Sequence, residues 1–448
     1  MLSADDALNR TTDLIARAVR AGATTADAVY GGSASRSVSV RLGALEDVGS
    51  AEGAEIGLRV FVGNRSATAS TSDFSSTSID ALIDRTVAMA RLAPEDKFAG
   101  LAPDDLLTSR PFAVFDTNDG QHVTPEALKE RALAAEDAAL SVAGVTNSQG
   151  GSASVGHGVS AIATSAGFAG ATTGSSHSVS ASVLAGEGDA MQRDYAYHSV
   201  RHLSDLDDAA TIGREAGTRA VRRLNPVRLK SGPMTIIFDP RVGPSLLGSL
   251  MGAISGSGIA RKTSFLLDAL GTQIFDSNIS IIDDPWLPRG FRSKAFDGEG
   301  LPTKPTTIID KGVLTGWIAE SASARQIGIS PTGHAARGIS GAPGASATNL
   351  RMEPGTVTPA ALMADIADGF YVTELIGMGV NGLTGDYSRG ASGFRIVKGE
   401  LAGAVSEVTI AGNLKDMFRA ITPANDLMLR YTTNTPTLRI DGMTVAGD

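Results

Sequence analysis

The chain has 448 residues, a formal net charge of −9, a hydrophobic fraction of 42% and no cysteine. The length predicts two or three domains with ample cores. The acidic balance argues against direct nucleic-acid binding, which normally needs a basic surface. Without cysteine, the chain forms no disulfide and no cysteine-ligated zinc site.

No targeting or membrane segment is predicted. The chain has no run of 18 apolar residues, and the stretch from Met1 to Gly22 is acidic and amphipathic, which is typical of a helix rather than a signal peptide. The one dense basic cluster, residues 214–230, lies near the C-terminal end of a predicted helix, where cations suit the helix dipole. We therefore expect a cytoplasmic protein with no membrane partner.

Residues 1–103 predict an α+β domain with its helices on one side of a sheet. Ser3 opens the first helix and Gly22 ends it. Alternating apolar and polar residues indicate the strands that follow. The later elements are predicted as strands Thr25–Tyr30 and Arg36–Leu42, a hairpin of Glu55–Val62 and Arg65–Thr71, and a helix from Ser78 to Leu92.

Residues 104–226 predict a central domain. Thr124 caps a helix that continues to about Val142. The stretch 145–184 is dominated by Ser, Gly, Ala and Thr, a composition that also suits a flexible linker. Its alternating apolar residues favour long antiparallel strands, whose small side chains suit a channel wall or a subunit interface. A helix over Ser204–Leu224 is predicted before the boundary at Asn225-Pro226.

Residues 227–448 predict a larger, β-rich C-terminal domain. It begins with a buried strand, Met234–Phe238, a turn at Asp239-Pro240, a helix over 242–254 and a Gly/Ser-rich exit. The fold class of the whole chain is therefore α+β: mixed or antiparallel sheets with flanking helices, an N-terminal α/β sandwich-like region and the larger β-rich domain.

Two glycine-rich segments of this domain are candidate binding loops. Residues 330–346 form a segment too long for a simple connection, and its histidine would ordinarily face solvent. Residues 377–393 follow a predicted helix (358–369) and strand (370–376), and their glycines would let the backbone approach a ligand closely. Here Asp386 and Arg389 either serve binding or pair with each other. The candidate residues for binding a substrate or partner are His334, Asn381, Thr384, Gly385, Asp386, Tyr387, Ser388, Arg389 and Gly390.

Other motifs are weak. His198 and His202 have the spacing of a helical zinc pair, but Ser199 replaces the required glutamate and the local pattern indicates a strand. Residues 256–263 nearly spell a phosphate loop, but they lack its second glycine and follow a helix rather than a strand. No serine lies in a convincing nucleophile elbow.

Three long strings resemble one family's signature. Residues 384–390 read Thr-Gly-Asp-Tyr-Ser-Arg-Gly, residues 408–418 read Val-Thr-Ile-Ala-Gly-Asn-Leu-Lys-Asp-Met-Phe, and residues 296–300 read Phe-Asp-Gly-Glu-Gly. They are similar to the TldD/PmbA family, and to its PmbA (TldE) branch in particular. The resemblance covers essentially the whole chain. It implies a protein of a peptidase family whose members have also been described as modulators of DNA gyrase.

The resemblance also bears on metal binding. The TldD branch carries His-Glu-x-x-x-His on the helix that corresponds to residues 242–254, and a later cysteine is the third zinc ligand. In this chain the three motif positions hold Gly248, Ser249 and Ala253. A zinc site of that type cannot form without these ligands. The resemblance therefore implies no metal and no cofactor in this chain, and zinc in a TldD-type partner subunit.

Three functional hypotheses remain at this point. The first is a zinc-free, PmbA/TldE-type subunit of a heterodimeric or larger metalloprotease, inactive alone, that helps to degrade unfolded peptides. The second is a stand-alone regulatory protein of the gyrase-modulator type that self-associates, for instance as a homodimer. The third is an independent hydrolase that uses serine, aspartate or histidine chemistry in the 330–390 loops.

Overall fold

The structure is a computed structural model that describes residues 1–447. The N-terminal half is built on one six-stranded sheet. Its elements are α1 (Ala4–Arg20), β1 (Thr25–Arg41), β2 (Ala44–Val62), β3 (Arg65–Thr71), α2 (Ser76–Leu92), α3 (Pro125–Leu140), β4 (Val145–Thr164), β5 (Ala169–Ala185), β6 (Gln192–Val200) and α4 (Ala209–Arg222). Single 3₁₀ turns occupy Asp104–Leu106, Gly188–Ala190 and Leu203–Asp205.

The N-terminal sheet has the strand order β3-β2-β1-β4-β5-β6, and every neighbouring pair is antiparallel. β1 pairs with β4 from Asp27 to Val40, so strands of the predicted domains 1–103 and 104–226 lie side by side in one sheet. β4 and β5 pair along their whole length. This pairing confirms the prediction of long strands within 145–184 and excludes a flexible linker there.

β1 is a single strand, so the prediction of two strands, Thr25–Tyr30 and Arg36–Leu42, is wrong. The intervening residues are glycine, serine and alanine, which have weak strand propensity and favour a break. They stay extended because neighbouring strands pair with them on both sides. Gly31, for example, lies opposite Glu55 of β2 and Ser160 of β4.

Helices α1 to α4 cover one face of this sheet. α1 and α2 pack on β1 to β3 through residues such as Leu14 and Leu82, and α3 and α4 pack on β4 to β6 mainly through alanines. The predicted helix Ser204–Leu224 begins only at Ala209. Asp208 accepts a hydrogen bond from the Thr211 amide at 3.0 Å and so caps α4.

The C-terminal half contains β7 (Gly232–Phe238), α5 (Pro244–Ala253), α6 (Gly256–Ala260), β8 (Ile281–Asp283), β9 (Thr306–Asp310), β10 (Val313–Leu314), α7 (Ser321–Ile327), β11 (Ala335–Ala336), β12 (Gly344–Ala345), β13 (Leu350–Met352), α8 (Pro359–Met363), β14 (Asp368–Ile376), β15 (Asp386–Val397), β16 (Glu400–Asn413), α9 (Leu414–Ala420), β17 (Ile421–Pro423), β18 (Thr433–Asn434) and β19 (Leu438–Ala446). The predicted α+β class is confirmed. Within residues 1–447, no helix is both long and apolar enough to cross a bilayer.

Five strands of the C-terminal half close into a ring. Their order is β16-β15-β14-β7-β19, and β16 pairs again with β19. The β7–β14 pair is parallel and the other neighbours are antiparallel. α5, α9 and the smaller sheet β10-β9-β8-β13-β18 contribute to the same large core, in which the Phe275 and Phe418 rings stack 4.7 Å apart. β7, which leads into α5, is therefore held on both sides.

The Gly/Ser-rich exit after residue 254 folds into the short helix α6, which Ser255 caps by accepting a hydrogen bond from the Gly258 amide. One local prediction for this half is wrong. The helix predicted over 358–369 ends at Met363. The carbonyls of Ile366 and Ala367 accept hydrogen bonds from the amides of Gly399 and Lys398 in the β15–β16 turn, so they are not available for the hydrogen bonds of a longer helix.

A buried ion cluster joins the two halves. Asp27 of β1 binds Arg59 of β2, with 2.6 Å between Oδ2 and Nε, and it also faces Arg337 of the C-terminal half, with 3.2 Å between Oδ1 and Nε. Glu299 lies 3.9 Å from Arg59 and accepts from the backbone amide and hydroxyl of Ser321. Burial raises the pKa of Glu299.

Truncating the centre of this cluster should be costly. Asp27→Ala leaves two buried guanidinium groups without their shared carboxylate, so we expect the free energy of unfolding to fall by about 3–5 kcal/mol in urea denaturation. The matched control is Asp368→Ala, which breaks the exposed pair with Arg395 and should cost at most about 1 kcal/mol. Equal losses in the two variants would contradict this account of the cluster.

The connector at residues 112–122, hereafter the strap, starts with Phe112 against Phe168 and Phe296 and then runs beside β5, where the Ser175 amide donates to the Thr117 carbonyl at 2.9 Å. Asp119 anchors it: its Oδ2 lies 2.8 Å from Nε2 of the buried His177 and 2.9 Å from the Leu203 amide. Burial acts to raise the pKa of Asp119, but the amides of Leu203 and Gln121 together with His177 outweigh it and lower the pKa from 3.8 to about 2.

This anchor should depend on pH. Because folding lowers the pKa of Asp119, its carboxylate stabilises the fold above pH 3.8, and the contribution is lost as the pH falls through about 2. Asp119→Asn should therefore lower the free energy of unfolding by about 1–2 kcal/mol at neutral pH. In urea denaturation the difference from the unaltered chain should shrink toward about pH 2. A difference that stays constant with pH would contradict the anchoring role.

Candidate functional site

Helix α5 presents two different faces. Leu246, Leu247, Leu250 and Ala253 recur at helical spacing and are buried in the large core. The other face carries Ser245, Gly248, Ser249 and Gly252, which are partly or fully exposed. A side chain added at Gly248 or Gly252 would meet nothing within 4 Å. The helix is thus firmly packed on one side and bare on the other.

The three positions of the zinc motif lie on this helix, and their chemistry does not fit a metal. Gly248 has no side chain, the Ser249 hydroxyl donates to the Ser245 carbonyl at 3.1 Å, and Ala253 is buried in the core. None of the three supplies an imidazole, carboxylate or thiolate, the groups that bind zinc in proteins. Within residues 1–447, no group of three or more His, Cys, Asp and Glu is placed to hold a metal ion.

The segment Asp386–Gly390 is part of strand β15, so its prediction as a loop is wrong. β16 holds it extended, with Asp386 opposite Asn413. The loop itself is only 377–385, where Asn381 closes a turn by accepting from the Gly385 amide at 2.8 Å. A side chain at Gly379 would lie 1.8 Å from the Ser388 carbonyl oxygen, so only glycine permits this close approach.

One alternative from the sequence was that Asp386 pairs with Arg389, and this alternative is wrong. The Asp386 carboxylate accepts from the Thr384 hydroxyl at 2.6 Å and from the Asn413 side-chain amide at 3.1 Å, and these bonds lower its pKa. Successive residues of a strand point to opposite faces. Tyr387 is accordingly buried, and burial raises its pKa. Asp386 and Thr384 therefore order the loop.

Arg389 is the candidate that the structure brings to α5. It lines a pocket of about 310 Å³ together with Val242 and Ser245, which lie at the start of that helix. Four charged residues also line the pocket, and none of them was predicted from the sequence: Asp194, Arg223, Arg241 and Glu374. The only signal was the basic cluster 214–230, which contains Arg223 and which we assigned to the helix dipole.

His334 lies elsewhere and is buried, so the expectation of a solvent-facing loop histidine is wrong. It directly precedes β11, which pairs with β12, and its own carbonyl accepts a hydrogen bond from the Ser346 amide. Its Nδ1 lies 2.9 Å from the Thr332 carbonyl and its Nε2 lies 3.4 Å from the Asp283 carboxylate. These contacts give it a structural position inside the segment 330–346.

The histidine pair His198 and His202 is not a metal site. His198 belongs to β6, as predicted, and its Nδ1 accepts from the Asp207 amide at 3.1 Å. His202 follows the strand, and its Nε2 lies 2.8 Å from the carbonyl of Asp116 in the strap. The two imidazoles therefore form hydrogen bonds with different segments of the chain, His198 with residue 207 and His202 with residue 116.

A larger groove, of about 1110 Å³, lies on the helix-free face of the N-terminal sheet. Glycine and serine residues of β1, β4 and β5 form its floor. The strap and residues 293–296 of the C-terminal half form its walls. The small-residue strands therefore line a groove; their role as a channel wall or subunit interface stays a prediction.

Comparisons with known proteins identify the family. Models of the PmbA/TldA metallopeptidase match residues 26–90 (domain 1), 118–224 (central domain) and 231–447 (C-terminal domain). Metalloprotease PmbA of Escherichia coli O157:H7 is 38% identical over 92% of this chain and 90% of its own length. The chain belongs to the PmbA/TldD family. This confirms the resemblance found in the sequence.

Solved structures share the whole fold. A candidate modulator of DNA gyrase from Bacteroides thetaiotaomicron superimposes with a TM-score of 0.91 and 27% identity, covering 100% of both chains. TldE from Thermococcus kodakarensis superimposes with a TM-score of 0.86 over 97% of this chain and 99% of its own, and its 21% identity supports the fold alone. The chain is a PmbA-type member with a complete family fold.

A bare glycine in α5 and a packed glycine in α6 give opposite predictions for substitution by alanine. Gly248→Ala adds a side chain in open space within a helix, so we expect a gain of about 0.5–1 kcal/mol in the free energy of unfolding. The matched variant is Gly256→Ala in α6, where the added carbon would lie 2.7 Å from the Ala319 side chain. That variant should lose about 1–3 kcal/mol. A loss of stability in Gly248→Ala would contradict the bare face.

Proposed function

We propose that this chain is the metal-free subunit of a two-component peptidase, whose zinc is held by a TldD-type relative with the His-Glu-x-x-x-His motif. The observation that carries the proposal is the combination of full-length family membership with Gly248, Ser249 and Ala253 at the motif positions. Zinc hydrolases need ligands and a base that these residues lack. The protein would therefore act in the cytoplasm as a structural and substrate-holding subunit.

The surface around α5 supports a partner contact on that side. The bare face of the helix admits the close approach of another chain. The nearby hairpin β14–β15 exposes large apolar side chains, with Ile376 and Leu383 each 60% exposed and Met378 91% exposed. Clustered exposed apolar side chains of this kind typically mark a protein interface. A TldD-type chain is the proposed occupant of this surface.

The proposed substrate is an unfolded peptide. The groove under the strap supports this choice because its floor consists largely of glycine and serine, so that an extended backbone could approach the sheet closely. An independent hydrolase has less support. His334 is buried between Thr332 and Asp283, away from the α5 pocket.

Peptidase activity tests the proposal. We expect this chain alone to leave an unfolded peptide intact, and the mixture with a His-Glu-x-x-x-His relative to cleave it, as followed by mass spectrometry. A Glu→Gln change in the relative's motif is the control, and it should abolish cleavage because the general base is lost. Cleavage by this chain alone in the presence of a chelator, at the rate of the mixture, would contradict the proposal.

A further inference from the structure

The pocket at the start of α5 is rich in arginine. It lies where β6, β14, β15 and the first turn of α5 meet, and Arg223, Arg241 and Arg389 line it together with Asp194 and Glu374. Its volume of about 310 Å³ is at the lower end of the range for small-ligand sites. The positive end of the α5 dipole also lies at this pocket.

Two of these arginines are fully engaged. Arg223 lies 3.4 Å from the Asp194 carboxylate and 2.5 Å from the Glu374 carboxylate. Arg241 lies 3.5 Å from Asp194 and 3.2 Å from Asp239. Each guanidinium therefore faces two carboxylates, and both side chains are mostly buried.

Arg389 is different. Within residues 1–447 it lies within ion-pair distance of no carboxylate, and its Nε is buried without a hydrogen-bond partner. Arg193 also reaches this cluster, 4.0 Å from Glu374. Arg193, Arg223 and Arg241 thus share three carboxylates, those of Asp194, Asp239 and Glu374, and Arg389 is a fourth guanidinium group beside them. The cluster lacks one negative charge, and the unsatisfied guanidinium lines the pocket.

The rest of the pocket wall limits the kind of anion that fits. Tyr195, Val242 and Leu375 give it an apolar side next to the guanidinium groups. A small inorganic anion would leave this apolar surface uncovered. The C-terminal residue of a peptide carries a carboxylate and a side chain on the same carbon, so an apolar C-terminal residue satisfies both surfaces at once.

We propose that the Arg389 pocket binds the free C-terminal carboxylate of a peptide that ends in an apolar residue. Arginine is suited to the task because its planar fork donates two parallel hydrogen bonds to one carboxylate. Binding would neutralise the excess positive charge and give the buried Nε of Arg389 an acceptor. The inference rests on the proposed function for the source of the ligand, since a peptidase subunit meets peptide ends.

Fluorescence anisotropy of the full chain, without a partner subunit, tests this site. The probe is an N-terminally labelled hexapeptide, Gly-Ser-Gly-Ser-Ala-Leu, as the free acid and as the C-terminal amide. We expect the acid to bind at least about tenfold more tightly, and Arg389→Gln to abolish this preference. Arg395→Gln, on the same strand but paired with Asp368 outside the pocket, should keep it.

Two further samples complete the test. Glu374→Gln removes a carboxylate that competes with the peptide for the arginines, so this variant should bind the free acid severalfold more tightly. A misfolded variant would bind the free acid more weakly. An amidated hexapeptide with glutamate in place of its alanine should bind as weakly as the amide. Equal binding of acid and amide, or tight binding of the glutamate peptide, would overturn the proposal. Because no partner is present, either failure leaves the zinc-dependent activity of the mixture untouched.

Discussion

The buried carboxylate of Asp27 sets the arrangement of the two halves of this protein. It binds Arg59 within the N-terminal sheet and Arg337 from the C-terminal half, so a single carboxylate holds cations from both. Buried charges are stable only with their partners in place, and the geometry therefore fixes how the C-terminal half lies across the sheet. The groove on the sheet, walled partly by residues 293–296, depends on that arrangement.

Much of the fold could be predicted from local sequence. Capping residues such as Ser3 and Thr124 marked helix starts correctly, and alternating small and apolar residues indicated β4 and β5. Two of the errors share one physical cause. β1 stays extended through residues 31–35, and Asp386–Gly390 is a strand, because neighbouring strands pair with them. Such pairing is not encoded in the segment itself.

The site could be predicted only in part. The absence of metal ligands at the motif positions of α5 follows from the residue types at 248, 249 and 253 alone. The arginine pocket is different because residues 194, 223, 241, 374 and 389 are distant in sequence and meet only in the fold. Arg389 was selected from the sequence motif, but the sequence did not show that it forms no ion pair with Asp386. The Asp386 carboxylate instead accepts hydrogen bonds from Thr384 and Asn413.

The central claim is that this chain contributes a family fold, a partner surface and a peptide site, while another subunit contributes the metal. Zinc analysis by mass spectrometry tests it most directly, on this chain alone and on its purified complex with a His-Glu-x-x-x-His relative. The account predicts background zinc in the isolated chain and one zinc ion for each relative in the complex. Stoichiometric zinc in the isolated chain, or a complex in which this chain adds a second zinc ion, would contradict it.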